Sequence, residues 1–158
     1  MTCDESMMMI NAGLGKFLPV TEYVTALYSR HRMAEGFVEV ICGGHPSPVL
    51  RRADGRIELI DLTGDVLGMH EVVACGSTRL AFNPGDRLLL FSDGLIENFR
   101  DSQGLPLGRS WGVRWLCSCL ERFGDGPLKQ VVDGIVDSAM AECHEAMGDD
   151  IVLMGLEC

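Results

Sequence analysis

No apolar run in this 158-residue chain reaches the ~20 residues that a membrane-crossing helix requires. Met1 to Met9 also lacks the basic start of a secretion signal, so a cytoplasmic protein is expected. Positive charge is scarce. Thirteen Lys and Arg stand against 23 Asp and Glu, a formal charge of −10, and no basic patch is evident. That balance argues against nucleic acid and anionic membrane as partners. The seven cysteines contain no C-x-x-C, and their number is odd. Cys117 and Cys119 lie two apart and face different directions on a helix. Reduced, mostly buried thiols are the expectation. No Ser-His-Asp or Cys-His signature offers a protein nucleophile. No repeat, linker or low-complexity stretch divides residues 1–158, so a single domain is expected. Its 47% apolar and 23% charged content is that of a globular chain with a real core.

What is present alternates between the two periodicities. Met7, Ile10, Leu14 and Phe17 recur at helical spacing before Pro19, although Gly13 and Gly15 weaken that helix. Tyr23 to Ser29 and Phe37 to Cys42 read as strands with a turn at Glu35-Gly36. Gly43 to Pro48 is a rigid loop, and Val49–Arg52 with Ile57–Leu62 makes a hairpin around Asp54-Gly55. Thr78–Phe82 and Arg87–Ser92 are strands joined by the tight-turn sequence Asn83-Pro84-Gly85-Asp86. Two helical faces follow, one through Val113, Leu116, Cys117 and Leu120, the other through Leu128, Val131, Val132, Ile135 and Ala139 with Pro127 at its first position. Ile151 to Leu156 closes the chain as a strand. Hairpin-joined antiparallel sheets with helices on their outer faces are the economical architecture.

The chemistry-bearing segment is Leu88 to Glu97, where an apolar strand runs into Ser92-Asp93-Gly94. A second acidic pair, Asp149-Asp150, opens the last apolar run. Carboxylates delivered by strand ends are what a hard divalent cation needs. Adjacent carboxylates such as Asp149 and Asp150 also repel each other unless a cation is present. The plain alternatives are a turn aspartate at a strand end for Asp93 and a solvated turn for the pair.

Four stretches carry a resemblance to the metal-dependent PPM-class protein phosphatases, in their bacterial branch typified by stage II sporulation protein E. They are Tyr23-Val24-Thr25-Ala26-Leu27-Tyr28, Gly44-His45-Pro46-x-Pro48, Pro84 to Gly94 with Glu97, and Gly148-Asp149-Asp150-Ile151. The resemblance implies an α+β fold, a four-layer α-β-β-α sandwich of two antiparallel sheets flanked by helices. It implies two Mn2+ or Mg2+ ions and hydrolysis of phosphoserine or phosphothreonine in a regulatory protein, such as an anti-sigma-factor antagonist. A pair of such ions lowers the pKa of a shared water and clamps phosphoryl oxygens, so no catalytic side chain is assigned. By the same resemblance Asp93 is a metal ligand, Asp149 a second, and Asp150 stands behind it or shares the role. Gly94 lets the backbone turn so that the Asp93 carboxylate faces the ions. His45 is read as part of a structural loop, Glu97 as a surface or helix-start residue, and His144 and Glu145 as an exposed helix end.

The family's first metal motif, G-D-V-x-G-H-G, with its bridging aspartate, has no counterpart before Ile10. Gly64-Asp65-Val66-Leu67-Gly68-Met69-His70 imitates it, but lies where the family carries a loop, so Asp65 is read as a loop residue. Cys42-Gly43 and Val152 are smaller departures from the family pattern. The domain is therefore expected to be N-terminally incomplete and to lack the opening strands. Two aspartates hold one hard cation loosely, since Mg2+ keeps most of its water when few carboxylates are offered. Open sheet edges pair with other chains, so a homodimer or aggregation is expected alongside weak metal binding and little activity. The competing readings are a catalytically inactive pseudophosphatase that binds a partner protein, and an α+β structural domain with coincidental aspartates.

Overall fold

A computed structural model describes residues 2–19, 21–143 and 149–158. The chain divides into two compact units, residues 1–47 with 60–83 and residues 48–59 with 84–158.

The first unit holds α1 (Cys3–Leu14), β1 (Ala26–Arg32), a single 3-10 turn at Met33–Glu35, β2 (Phe37–Gly43) and β5 (Gly76–Ala81). Its sheet is antiparallel in the order β1-β2-β5, with Arg30 opposite Glu39 and Glu39 opposite Arg79. That register lets one carboxylate accept from two guanidinium groups, at 2.8 Å from Arg30 Nε and 2.8 Å from Arg79. α1 begins at a capping box, in which the Thr2 hydroxyl accepts from Glu5 N and the Glu5 carboxylate accepts from Thr2 N. The helix buries Cys3, Met7 and Asn11, an i, i+4, i+8 stripe. Met7 packs with Ile41, Leu67 and Val73. The expected face through Ile10 and Phe17 is therefore displaced. The helix stops at Leu14 with Gly15 as its cap, Phe17 is 85% exposed and Ile10 faces solvent. A polar residue joins the buried stripe because it is satisfied there. Asn11 donates to the carbonyls of His70 and Glu71 and accepts from Gly68 N. The first strand also starts later than its sequence implies, at Ala26, leaving Tyr23 and Val24 exposed.

The second unit holds β3 (Val49–Arg51), β4 (Ile57–Leu59), β6 (Arg87–Phe91), α2 (Gly94–Glu97), α3 (Arg109–Phe123), α4 (Leu128–Glu142) and β7 (Leu153–Glu157). Its sheet is antiparallel in the order β4-β3-β6-β7. β3 and β4 form the expected hairpin around Asp54-Gly55. The Asn83-Pro84-Gly85-Asp86 turn does not make a hairpin. β5 pairs with β2, whereas β6 pairs with β3 and β7, so the turn passes the chain from one sheet to the other. Its polar groups are spent on other partners. Phe82 N donates to Gly36 O, Gly85 N donates to Cys158 O, and the buried Asp86 carboxylate accepts from Ala53 N and Arg52. The core joins Leu89 and Phe91 of β6 to Leu95 and Ile96 of α2, Leu116 and Leu120 of α3, and Val131 and Ile135 of α4. α3 buries Trp115 and Cys119 where the sequence pattern pointed to Val113 and Cys117. Trp115 and Trp111 both pack on Phe99, which draws the buried face round toward them. Pro127 stands at the cap of α4, one position before its first helical residue. Burial raises the Cys119 thiol to about 11, which keeps it protonated and unreactive.

No helix among the described residues is long and apolar enough to cross a membrane.

Candidate metal centre

β6 ends at Phe91, and the chain enters α2 within three residues. Asp93 is the cap of that short helix, with helical φ −60° and ψ −30°, and its carbonyl accepts from Ile96 N and Glu97 N. Gly94 is thus the first helical residue. The structure corrects the reason for glycine there. The position needs no unusual backbone angle; it needs the absence of a side chain. A Cβ on Gly94 would stand 2.4 Å from Asp150 O and 3.1 Å from Asp149 O. The segment bearing one candidate ligand therefore lies directly against the segment bearing the other two.

Side chains tie the segments together. Ser92 Oγ donates to Asp150 O at 2.9 Å and accepts from Val152 N at 2.9 Å, while Ser92 N donates to Val152 O. Asn98, which is buried, donates through Nδ2 to Gly94 O at 2.8 Å and to Asp149 O at 3.1 Å. Neither residue is singled out by the sequence, where Ser92 reads as the end of a strand and Asn98 carries no reading. The signal for Asn98 is weak, an uncharged polar residue beside Glu97 between Leu95-Ile96 and Phe99.

The three carboxylates remain available. Among the described residues Asp93 Oδ1 accepts from its neighbour Gly94 N alone, and Asp149 Oδ1 from Asp150 N. Asp93 is half-buried, and Asp149 and Asp150 are exposed. Among the described residues none of the three pairs with an arginine or lysine, whereas Asp54, Glu58, Asp86, Glu97, Asp125 and Glu157 of the same unit do. Oxygen donors without cationic partners suit a hard divalent ion. Among the described residues no group of three or more His, Cys, Asp and Glu is arranged to hold a metal. The structure thus brings the backbones of the three aspartates together, and two ions at fixed separation would call for a bridging carboxylate as well.

The remaining candidates have other partners. Asp65 accepts from Ala74 N and closes a loop. His45 Nδ1 lies 3.0 Å from Pro46 O, and Cys42 Sγ contacts His45 O, so this residue shapes its own loop. Glu97 ends α2 and pairs with Arg109 at the start of α3. Gly148, His144 and Glu145 lie outside the described residues.

The stage II sporulation protein E family matches over residues 1–158. The phosphoserine phosphatase RsbP of Bacillus subtilis is 29% identical over 134 residues, which cover 84% of this chain and 30% of that protein. The chain thus spans about a third of that curated relative's length. The RsbU and RsbW domains of the Mycobacterium tuberculosis protein Rv1364c align over 99% of this chain and 42% of theirs, with a TM-score of 0.82 at 19% identity. The phosphatase domain of SpoIIE from Bacillus subtilis, presoaked with Mn, aligns over 99% of this chain and 67% of its own, with a TM-score of 0.70 at 13% identity. The fold is accordingly the α+β class expected, two antiparallel sheets flanked by helices, and the likeness is to PPM-type protein phosphatases. This chain belongs to the stage II sporulation protein E family.

Proposed function

We propose that the chain acts in hydrolysis of phosphoserine or phosphothreonine in a regulatory protein, with Asp93, Asp149 and Asp150 holding Mn2+ or Mg2+. The observation that carries the reading is the contact of the Asp93-Gly94 turn with the Asp149-Asp150 backbone, made by a glycine that admits no side chain. Family membership supplies the reaction class, and RsbP is named a phosphoserine phosphatase. Divalent ions supply an activated water and electrostatic clamping of phosphoryl oxygens. The chain's own residues do the rest. Asp93 offers its carboxylate from the first turn of α2, anchored by the β6 strand behind it. Asp149 and Asp150 offer theirs from the segment that leads into β7, held by Ser92 and Asn98. The substrate class is a phosphorylated protein, of which an anti-sigma-factor antagonist is the type we favour, met in the cytoplasm. The three aspartates support one ion loosely, so the chain by itself turns over slowly, and a second ion depends on a further carboxylate.

Calorimetric titration with Mn2+ tests the ligand assignment. Wild-type chain binds weakly, and Asp93→Ala and Asp149→Ala each abolish or sharply weaken the signal. A wild-type signal that both substitutions leave untouched removes these residues from the site. No wild-type signal favours the binding-module reading, a pseudophosphatase that holds a partner protein without chemistry.

A further inference from the structure

We propose that Asn98 is a positioning residue for this site, setting the place of the Asp149-Asp150 segment relative to the Asp93-bearing turn; the inference rests on the metal reading above. A primary amide has two donor hydrogens in one plane. Asn98 aims both at carbonyls that matter here, Gly94 O on its own helix and Asp149 O, 51 residues away in the chain. One rigid group thus fixes the direction from which Asp149 approaches α2. The amide is itself held firmly. It is 5% exposed, and α2 beneath it is seated on α3, where a Cβ on Gly112 would stand 2.0 Å from Ile96 O. The Glu97–Arg109 pair ties the same turn to the start of α3.

The division of labour with Ser92 is clear from the bonds. Ser92 secures Asp150 and Val152, the part of the segment nearest β7. Asn98 secures Asp149, one residue further out, and is the tether farthest from the strand among the described residues. Without it, Asp149 keeps its link to β7 but loses its fixed angle to Asp93. Groups that orient metal ligands without touching the ion govern affinity through that angle.

The test uses Asn98→Leu, of similar volume but with no donor, Asn98→Ala, and Ile41→Val as a destabilised control in the first unit's core. Mn2+ affinity is measured by calorimetry well below the unfolding temperature, and amide hydrogen exchange is followed without metal. Both Asn98 variants should raise the Mn2+ Kd by about tenfold or more, while Ile41→Val stays within about twofold of wild type. The amide of Asp150, which donates to Asp149 Oδ1, should exchange faster in Asn98→Leu, while the Val152 amide held by Ser92 stays as in wild type and Ile41→Val changes neither. Wild-type Mn2+ affinity in both Asn98 variants overturns the proposal, whatever their stability, and leaves Asn98 a residue of the fold alone. Failure of wild-type chain to bind Mn2+ is a different result; it overturns the metal reading and takes the positioning role with it.

Discussion

Replacing Gly94 by alanine sets a methyl carbon 2.4 Å from Asp150 O, 2.9 Å from the Asp150 carbonyl carbon and 3.1 Å from Asp149 O. Carbon–oxygen contacts settle at about 3.3–3.6 Å, so the two segments must part by about 1 Å. They cannot part freely. Asp150 O is held by Ser92 and Asp149 O by Asn98, and one of those bonds has to lengthen or break. Overpacking of this kind costs about 1–3 kcal/mol, and a lost hydrogen bond adds about 1 kcal/mol. Alanine at the first helical position of α2 returns up to about 1 kcal/mol through helix propensity. The net loss is about 2 kcal/mol. For a chain of this length each kcal/mol moves Tm by about 2–4 °C, so Gly94→Ala should melt about 4–8 °C below wild type. Thermal unfolding by circular dichroism without metal measures the shift, and repetition with Mn2+ shows whether the metal-induced rise in Tm shrinks. Gly134→Ala is the contrast. It lies inside α4, its nearest neighbours are Phe123 ring atoms at 3.4 Å, and alanine should stabilise by about 0.5–1 kcal/mol. A Gly94→Ala protein that melts with wild type and keeps its Mn2+ response would refute the close-packed site.

Gly112→Ala presses a methyl into Ile96 O at 2.0 Å and should destabilise by about 3 kcal/mol, read as a lower urea midpoint. Asn11→Leu strands the carbonyls of His70 and Glu71 and the amide of Gly68, and should cost about 2–3 kcal/mol in the same assay; a loss below about 0.5 kcal/mol would show the loop finding other partners. Acid should weaken the first unit in two stages. Burial beside Phe82 pushes the His31 imidazole below its usual 6.5, so the unfolded chain takes up the proton first and stability falls as pH drops beneath that value. Hydrogen bonds from Arg79 and Arg30 hold Glu39 below the ordinary carboxylate range; its contribution is present above the unfolded pKa and is lost as pH falls through the lower folded value. His31→Leu should flatten the upper stage of the Tm-against-pH curve and spare the lower one, and an unchanged curve would dismiss His31.

Much of the fold was legible because local rules carried it. The β3–β4 hairpin follows from Asp54-Gly55 between apolar runs, and α4 from the spacing of Val131, Ile135 and Ala139. Errors arose where a long-range partner outweighed the local pattern. Asn11 displaced Ile10 from the buried face of α1 because a distant loop satisfies its amide. Trp115 and Cys119 displaced Val113 and Cys117 because Phe99 receives the aromatic rings.

The sequence by itself determined the candidate carboxylates and the family: Asp93 follows an apolar strand, Asp149 and Asp150 precede another, and the surrounding motifs resemble those of a phosphatase family. Only the tertiary structure decided that the Asn83–Asp86 turn parts two sheets, that Gly94 is a contact point rather than a bend, and that Ser92 and Asn98 bind the acidic segments together. The physical reason is range. A turn or a helical stripe is written in neighbouring residues, whereas the pairing of β6 with β7 and the meeting of Asn98 with Asp149 depend on groups more than fifty positions apart, which the packed core alone brings into reach.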